Sequence, residues 1–232
     1  MTRLLISVSS AEEALLALQA GADLIDGKDA AAGPLAALPE AVLRDIVAAV
    51  DGRCPVSATV GDWPALPGVL LEAAERIAAT GVDWVKLGFY PGGDWAACLT
   101  ALRPLAQRKP LVGLLLADLT AAPQRHVAAF AAAGFRGVML DTADKLAGGL
   151  RRHIDDATLA GFLAEAARHG LESGLAGALQ VEDAATLRAL HPGILGFRGA
   201  ACRQGMRSAA LDRDRIAALR RALERRPALL GG

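Results

Sequence analysis

Ala20-Gly21-Ala22-Asp23-Leu24-Ile25-Asp26-Gly27-Lys28 carries the unit that the chain repeats: a helix closed by a glycine, then at once a short apolar strand. Glycine just past a helix adopts the left-handed conformation that ends it, and the strand then enters the core. The same junction recurs at Thr80-Gly81-Val82-Asp83, Ala133-Gly134-Phe135-Arg136, His169-Gly170-Leu171-Glu172 and Pro192-Gly193-Ile194-Leu195. Strands alternating with helices of about ten to fifteen residues mean βαβ units and a parallel sheet.

Eight strands are predicted: 3–8, 23–27, 55–60, 83–88, 111–116, 136–140, 172–176 and 194–197. Helices are predicted between them over 11–20, 35–50, 67–79, 95–107, 122–132, 156–168 and 181–190, with a last one over 212–225. Eight β/α units in 232 residues predict an α/β fold, a single-domain (β/α)8 TIM barrel spanning 1–232. A doubly wound open sheet is the alternative. Against its dinucleotide-binding form, the first βα turn, Val8-Ser9-Ser10-Ala11, lacks the GxGxxG pattern.

Composition narrows the function. The chain is 53% hydrophobic and has zero formal net charge, so it offers neither a basic nucleic-acid footprint nor a charged membrane patch. The basic run from Arg213 to Arg226 alternates with apolar residues at helical spacing, as a solvated helix face does. No apolar run is long enough to span a bilayer, and the N-terminus lacks the pattern of a signal peptide. The three cysteines are odd in number and irregularly spaced, which argues against a disulfide framework. A reduced, cytoplasmic protein is the expectation. The four histidines are scattered, so no metal site is expected.

Lysine usage is the functional signal. The chain has four lysines among its 25 basic residues, and three of them, Lys28, Lys86 and Lys145, are read as lying at or just past the C-terminal end of a strand. Arginine stays protonated, whereas a desolvated lysine can lose its proton and attack a carbonyl. One such lysine reads equally well as a surface charge at a strand exit. Three in a lysine-poor chain point to chemistry.

In a (β/α)8 barrel the C-terminal strand ends form the active-site mouth. Read off strand by strand, they offer Ser7 and Ser9, Asp26 and Lys28, Ser57, Thr59 and Asp62, Lys86, Asp118, and Asp141, Thr142 and Lys145. Ser57 and Thr59 read equally well as pleat residues bonded to neighbouring backbone. Lysines and aspartates at one mouth suit carbonyl chemistry through an imine, with an acid/base group moving the α-proton. After strands seven and eight, Gly177, Ala178, Arg198 and Gly199 have the character of a phosphate site. Glycine there lets backbone N–H groups approach the anion, and Arg198 and Arg203 could add charge. The bland reading is that these glycines only permit tight turns.

The motifs together resemble a known family. Ile25-Asp26-Gly27-Lys28, Pro55 to Asp62 (PVSATVGD), Asp83-Trp84-Val85-Lys86-Leu87-Gly88 and Leu140 to Lys145 (LDTADK) are similar to the (5-formylfuran-3-yl)methyl phosphate synthases of methanofuran biosynthesis. So are Gly174 to Leu179 and Arg198-Gly199-Ala200-Ala201-Cys202, and the resemblance runs in order along essentially the whole chain. It implies a (β/α)8 lyase that converts two glyceraldehyde 3-phosphate molecules into the furan phosphate, with loss of phosphate and water and with no cofactor. It implies Lys28 as the Schiff-base lysine and Lys86 as proton acceptor, with Asp26, Asp141 and Lys145 as further active-site positions. Its partner would be a small triose phosphate, with neither nucleic acid nor membrane, and assembly as a homo-oligomer is the expectation. The chain departs from the family at two loops: where the family reads Lys-Asn-Pro it has Lys28-Asp29-Ala30-Ala31-Ala32-Gly33-Pro34, and the loop after strand five, around Ala117 to Thr120, is shorter. A Schiff-base aldolase or isomerase for another phosphosugar is the alternative. A non-catalytic sugar-phosphate-binding barrel ranks last, because all three lysines are present.

Overall fold

The computed structural model describes residues 1–30, 32–144 and 147–224. Eight parallel strands close into a barrel in chain order: β1 (Arg3–Val8), β2 (Leu24–Gly27), β3 (Val56–Thr59), β4 (Trp84–Phe89), β5 (Leu111–Leu116), β6 (Gly137–Asp141), β7 (Glu172–Leu175) and β8 (Ile194–Phe197). Pairing of Arg3 to Ile6 of β1 with Ile194 to Phe197 of β8 closes the sheet and leaves no open edge. The open-sheet alternative is thereby set aside.

The helices are α1 (Ala11–Gln19), α2 (Glu40–Val50), α3 (Pro67–Ala78), α4 (Trp95–Ala106), α5 (Val127–Ala132), α6 (Leu150–His153), α7 (Asp156–Arg168), α8 (Val181–Arg188) and α9 (Arg213–Glu224). Several start on side-chain caps that accept otherwise orphaned N–H groups: Ser10 from Glu13, Asp94 from Ala97 and Asp155 from Thr158. Gly21, Gly81, Gly134 and Gly170 all sit at positive φ where helices end, as the repeated junction requires. The fifth junction differs. There His191 takes the left-handed turn (φ 58°), and Gly193 gives space, since a Cβ on it would lie 2.9 Å from the Ser173 carbonyl oxygen as well as against the Glu172 side chain.

Alternation along the strands divides the apolar residues into two sets. Leu4, Ile6 and Val8 point outward into the large core between sheet and helices, which includes the edge-to-face ring cluster of Phe89, Phe130 and Phe135. Leu5, Leu24, Val112, Leu114, Met139 and Ile194 point inward and fill the barrel.

The predicted helix over 35–50 starts later, at Glu40. Leu35 turns into the barrel mouth instead, 1% exposed and packed with the interior cluster. Its N–H donates to Asp62 (3.2 Å), and the carbonyl of Ala36 accepts from the Asp29 N–H (3.0 Å) and Thr59 Oγ1 (3.3 Å). Pro39 then caps α2 with extended backbone, since its own N–H is missing and would be unused there anyway.

Candidate active site

Register assembles the floor of the site. Ser7 pairs with Asp26 across β1 and β2, and Asp26 with Ser57 across β2 and β3. Their side chains therefore share one inward-facing row. Both hydroxyls donate to the same carboxylate: Ser57 Oγ to Asp26 Oδ1 at 2.6 Å and Ser7 Oγ to Oδ2 at 3.1 Å. Lys86, in the middle of β4, reaches in to donate to Asp26 Oδ1 at 2.9 Å. Ser57 is thus more than a pleat residue, although its hydroxyl also lies 3.4 Å from the Ile25 carbonyl oxygen. Thr59 follows the bland reading and bonds backbone.

Lys28 follows directly after β2, with its Nζ 3.5 Å from Asp141 Oδ2 at the end of β6. Asp141 Oδ1 accepts the Thr142 N–H at 2.8 Å, which fixes the carboxylate. Asp26, Lys28, Lys86 and Asp141 are all 7% exposed or less. Each of these buried lysines faces a carboxylate, which offsets part of the cost of burying it. The segment leading to Lys145 is held from β5's side, where Asp118 accepts the N–H groups of Ala143 and Asp144, both at 2.8 Å. Lys145 itself lies outside the described residues.

These groups open onto one cavity of about 400 Å3, of a size for a small phosphosugar. Its far wall is the β7 and β8 loops, with Gly177, Ala178, Arg198 and Gly199 all lining it. Gly177 (φ 108°) and Ala178 (φ 47°) form two successive left-handed turns, and a Cβ on Gly177 would meet Thr142 at 3.0–3.1 Å. Among the described residues no protein acceptor takes the N–H of Gly177, Ala178, Gly199 or Ala200. These amides, unclaimed on tight turns at two strand ends, are chemically suited to an anion.

The side chain of Arg198 is occupied otherwise. Its five N–H donors go to Glu13 (2.6 and 3.1 Å) and to the carbonyls of Ser7, Arg207 and Ala209 (3.0–3.2 Å). Its charge is met by Glu13, and the side chain pins the loop that carries the amides. Arg203 is exposed and stands away from the cavity, whereas Arg207 lines it. Glu13, which sequence reading passed over, also accepts from the N–H and hydroxyl of Ser9 (2.8 and 3.0 Å). Burial pushes its carboxyl up, but Arg198 and Ser9 outweigh that and hold it below the ordinary value. Tyr90, the only tyrosine, donates to Asp62; burial and that carboxylate push its hydroxyl far above the phenol range, so it stays a donor. Nothing about Glu13, Arg207 or Tyr90 in the sequence alone placed them at the mouth, because their positions depend on loop paths.

The chain matches the family model described as 4-HFC-P synthase over residues 4–220. It belongs to that family. A relative from Methylorubrum extorquens is 45% identical over 93% of this chain and 89% of its own length. The (5-formylfuran-3-yl)methyl phosphate synthase of Methanosarcina acetivorans is 34% identical, over 89% of this chain and 93% of that one. Among solved structures, phosphoribosyl anthranilate isomerase from Thermus thermophilus superposes with a TM-score of 0.66 at 20% identity, covering 96% of this chain and 98% of that one. That likeness speaks for the fold alone. Among the described residues no helix is long and apolar enough to cross a membrane.

Proposed function

We propose that this member of the 4-HFC-P synthase family makes (5-formylfuran-3-yl)methyl phosphate from two molecules of glyceraldehyde 3-phosphate, through an imine on Lys28, in methanofuran biosynthesis. The observation that carries the reading is the arrangement of two buried lysine–carboxylate pairs on the floor of a cavity whose far wall is an amide cradle. One triose phosphate isomerises to its ketone. With its phosphate on the amides of Gly177, Ala178 and Gly199, that ketone presents its carbonyl to Lys28. The amine attacks, water leaves, and the protonated imine draws electrons from the adjacent C–H bond. Lys86 accepts that proton after passing its own to Asp26, along the 2.9 Å contact between them. The enamine then attacks the aldehyde of the second triose phosphate, and ring closure with loss of phosphate and water gives the conjugated furan. Asp141 steadies Lys28 and moves protons during imine formation and release, and Lys145 serves the same mouth.

The three cysteines are free thiols, which supports the cytoplasmic reading. Ultraviolet absorbance tests the function: incubation with glyceraldehyde 3-phosphate should build up the band of a furan aldehyde, and Lys28→Arg should abolish it. An aldol or ketose phosphate with no absorbing product would instead support the simpler aldolase or isomerase.

A further inference from the structure

We infer that Arg207 is the ligand of a second substrate phosphate, at the part of the mouth where its guanidinium reaches the loop after Lys28. The inference rests on the two-triose reading above and deepens it. Joining two trioses demands that both occupy one cavity, and each brings a dianionic group. The cradle formed by the β7 and β8 loops suits one of them, and the other needs a cation.

The cavity wall holds four described cations, and three are already committed. Lys28 faces Asp141, Lys86 faces Asp26, and Arg198 gives both ends of its fork to Glu13. Arg207 is the fourth. Among the described residues it has no carboxylate partner, and its guanidinium makes a single hydrogen bond, from Nη2 to the Gly33 carbonyl at 3.1 Å. Four of its five N–H donors therefore remain for a ligand.

Its placement fits the second triose. The stem starts beside Gly199, where an added Cβ would lie 3.9 Å from Arg207 Cβ, and its carbonyl is fixed by Arg198 Nε at 3.0 Å. The head ends over Gly33, on the loop that follows Lys28. The side chain thus crosses the opening from β8 to β2, and its free donors face a cavity whose near floor carries the imine lysine. An aldehyde that approaches the enamine with its phosphate outward would meet this guanidinium. Planar forked donors match phosphate oxygens in pairs.

A substrate-by-variant comparison tests this. With dihydroxyacetone phosphate as donor, kcat/KM is measured for glyceraldehyde 3-phosphate and for glyceraldehyde as acceptors, in wild type, Arg207→Gln and Arg207→Met. The wild type should prefer the phosphorylated acceptor by about 10- to 100-fold, the value of a charge-assisted contact. In both variants that ratio should collapse toward unity. A residue that only straps the Gly33 loop would lower both acceptors alike and keep the ratio, and that result would overturn the inference. Borohydride trapping of dihydroxyacetone phosphate on Lys28, run in each protein, separates the two levels. Failure in the wild type removes the imine reading and this inference with it. Trapping in all three with an unchanged ratio removes the inference alone.

Discussion

Arg198 spends every N–H it has inside the protein, and Glu13 takes two of them. The pair joins α1 to the loop after β8, so a change at Glu13 should reach the cradle through Arg198. A carboxyl held below its ordinary value contributes stability that is present above its unfolded pKa, about 4.3, and is lost as pH falls through the lower folded value. Glu13→Gln should therefore lower the Tm at neutral pH and flatten the dependence of Tm on pH below about 4.5. Tm profiles of the two proteins that stay parallel down to the acid limb would contradict this. At this scale the sequence was partly legible. Asp26, Lys28 and Asp141 could be placed at one mouth because strand ends fix them, whereas Lys86, read as a strand-end residue, lies in the middle of β4 and joins them by reaching inward. Glu13 and Arg207 could not, since nothing local says which carboxylate Arg198 meets or where the loop after β8 travels.

Among the elements, the loop between β2 and α2 runs against its own local preference. Ala36 and Ala37 favour helix in isolation, and the sequence continues the α2 pattern back to Leu35. Tertiary contacts override that preference, because Asp62 and Thr59 claim the backbone and the interior cluster claims Leu35. The strands were legible almost residue for residue, β1, β5 and β8 fully so, because short, mainly apolar runs stand out between helical segments and turn residues. Gly88 gives a test of the Leu35 seat. A Cβ there would lie 2.3 Å from Leu35 Cδ1, so Gly88→Ala should dislodge Leu35, cost about 1–3 kcal/mol of stability and raise KM as the loop after Lys28 shifts. Unchanged urea midpoint and KM would show that Leu35 has room to move.

Across the whole molecule, the lysine–carboxylate pairs and the aspartates of the repeat occupy opposite ends of the barrel. At the N-terminal end, Asp23 accepts the Leu4 N–H (2.8 Å) and an Arg220 N–H (2.5 Å), while Asp83 accepts the Val56 N–H (2.7 Å). These aspartates, two residues after the helix-closing glycines, tie each strand's start to its neighbour. They belong to the repeat and not to the site. Asp23→Ala should thus cost about 1–3 kcal/mol in chemical denaturation and leave kcat/KM within about twofold of wild type. A selective loss of kcat with stability intact would break that division.

Lys28, seated against Asp141, is proposed as the nucleophile. Borohydride reduction in the presence of glyceraldehyde 3-phosphate, followed by intact mass and peptide mapping, tests that role. One triose-derived adduct is expected, mapped to Lys28 and absent from Lys28→Arg. Turnover with no adduct, or an adduct confined to Lys86, would contradict it.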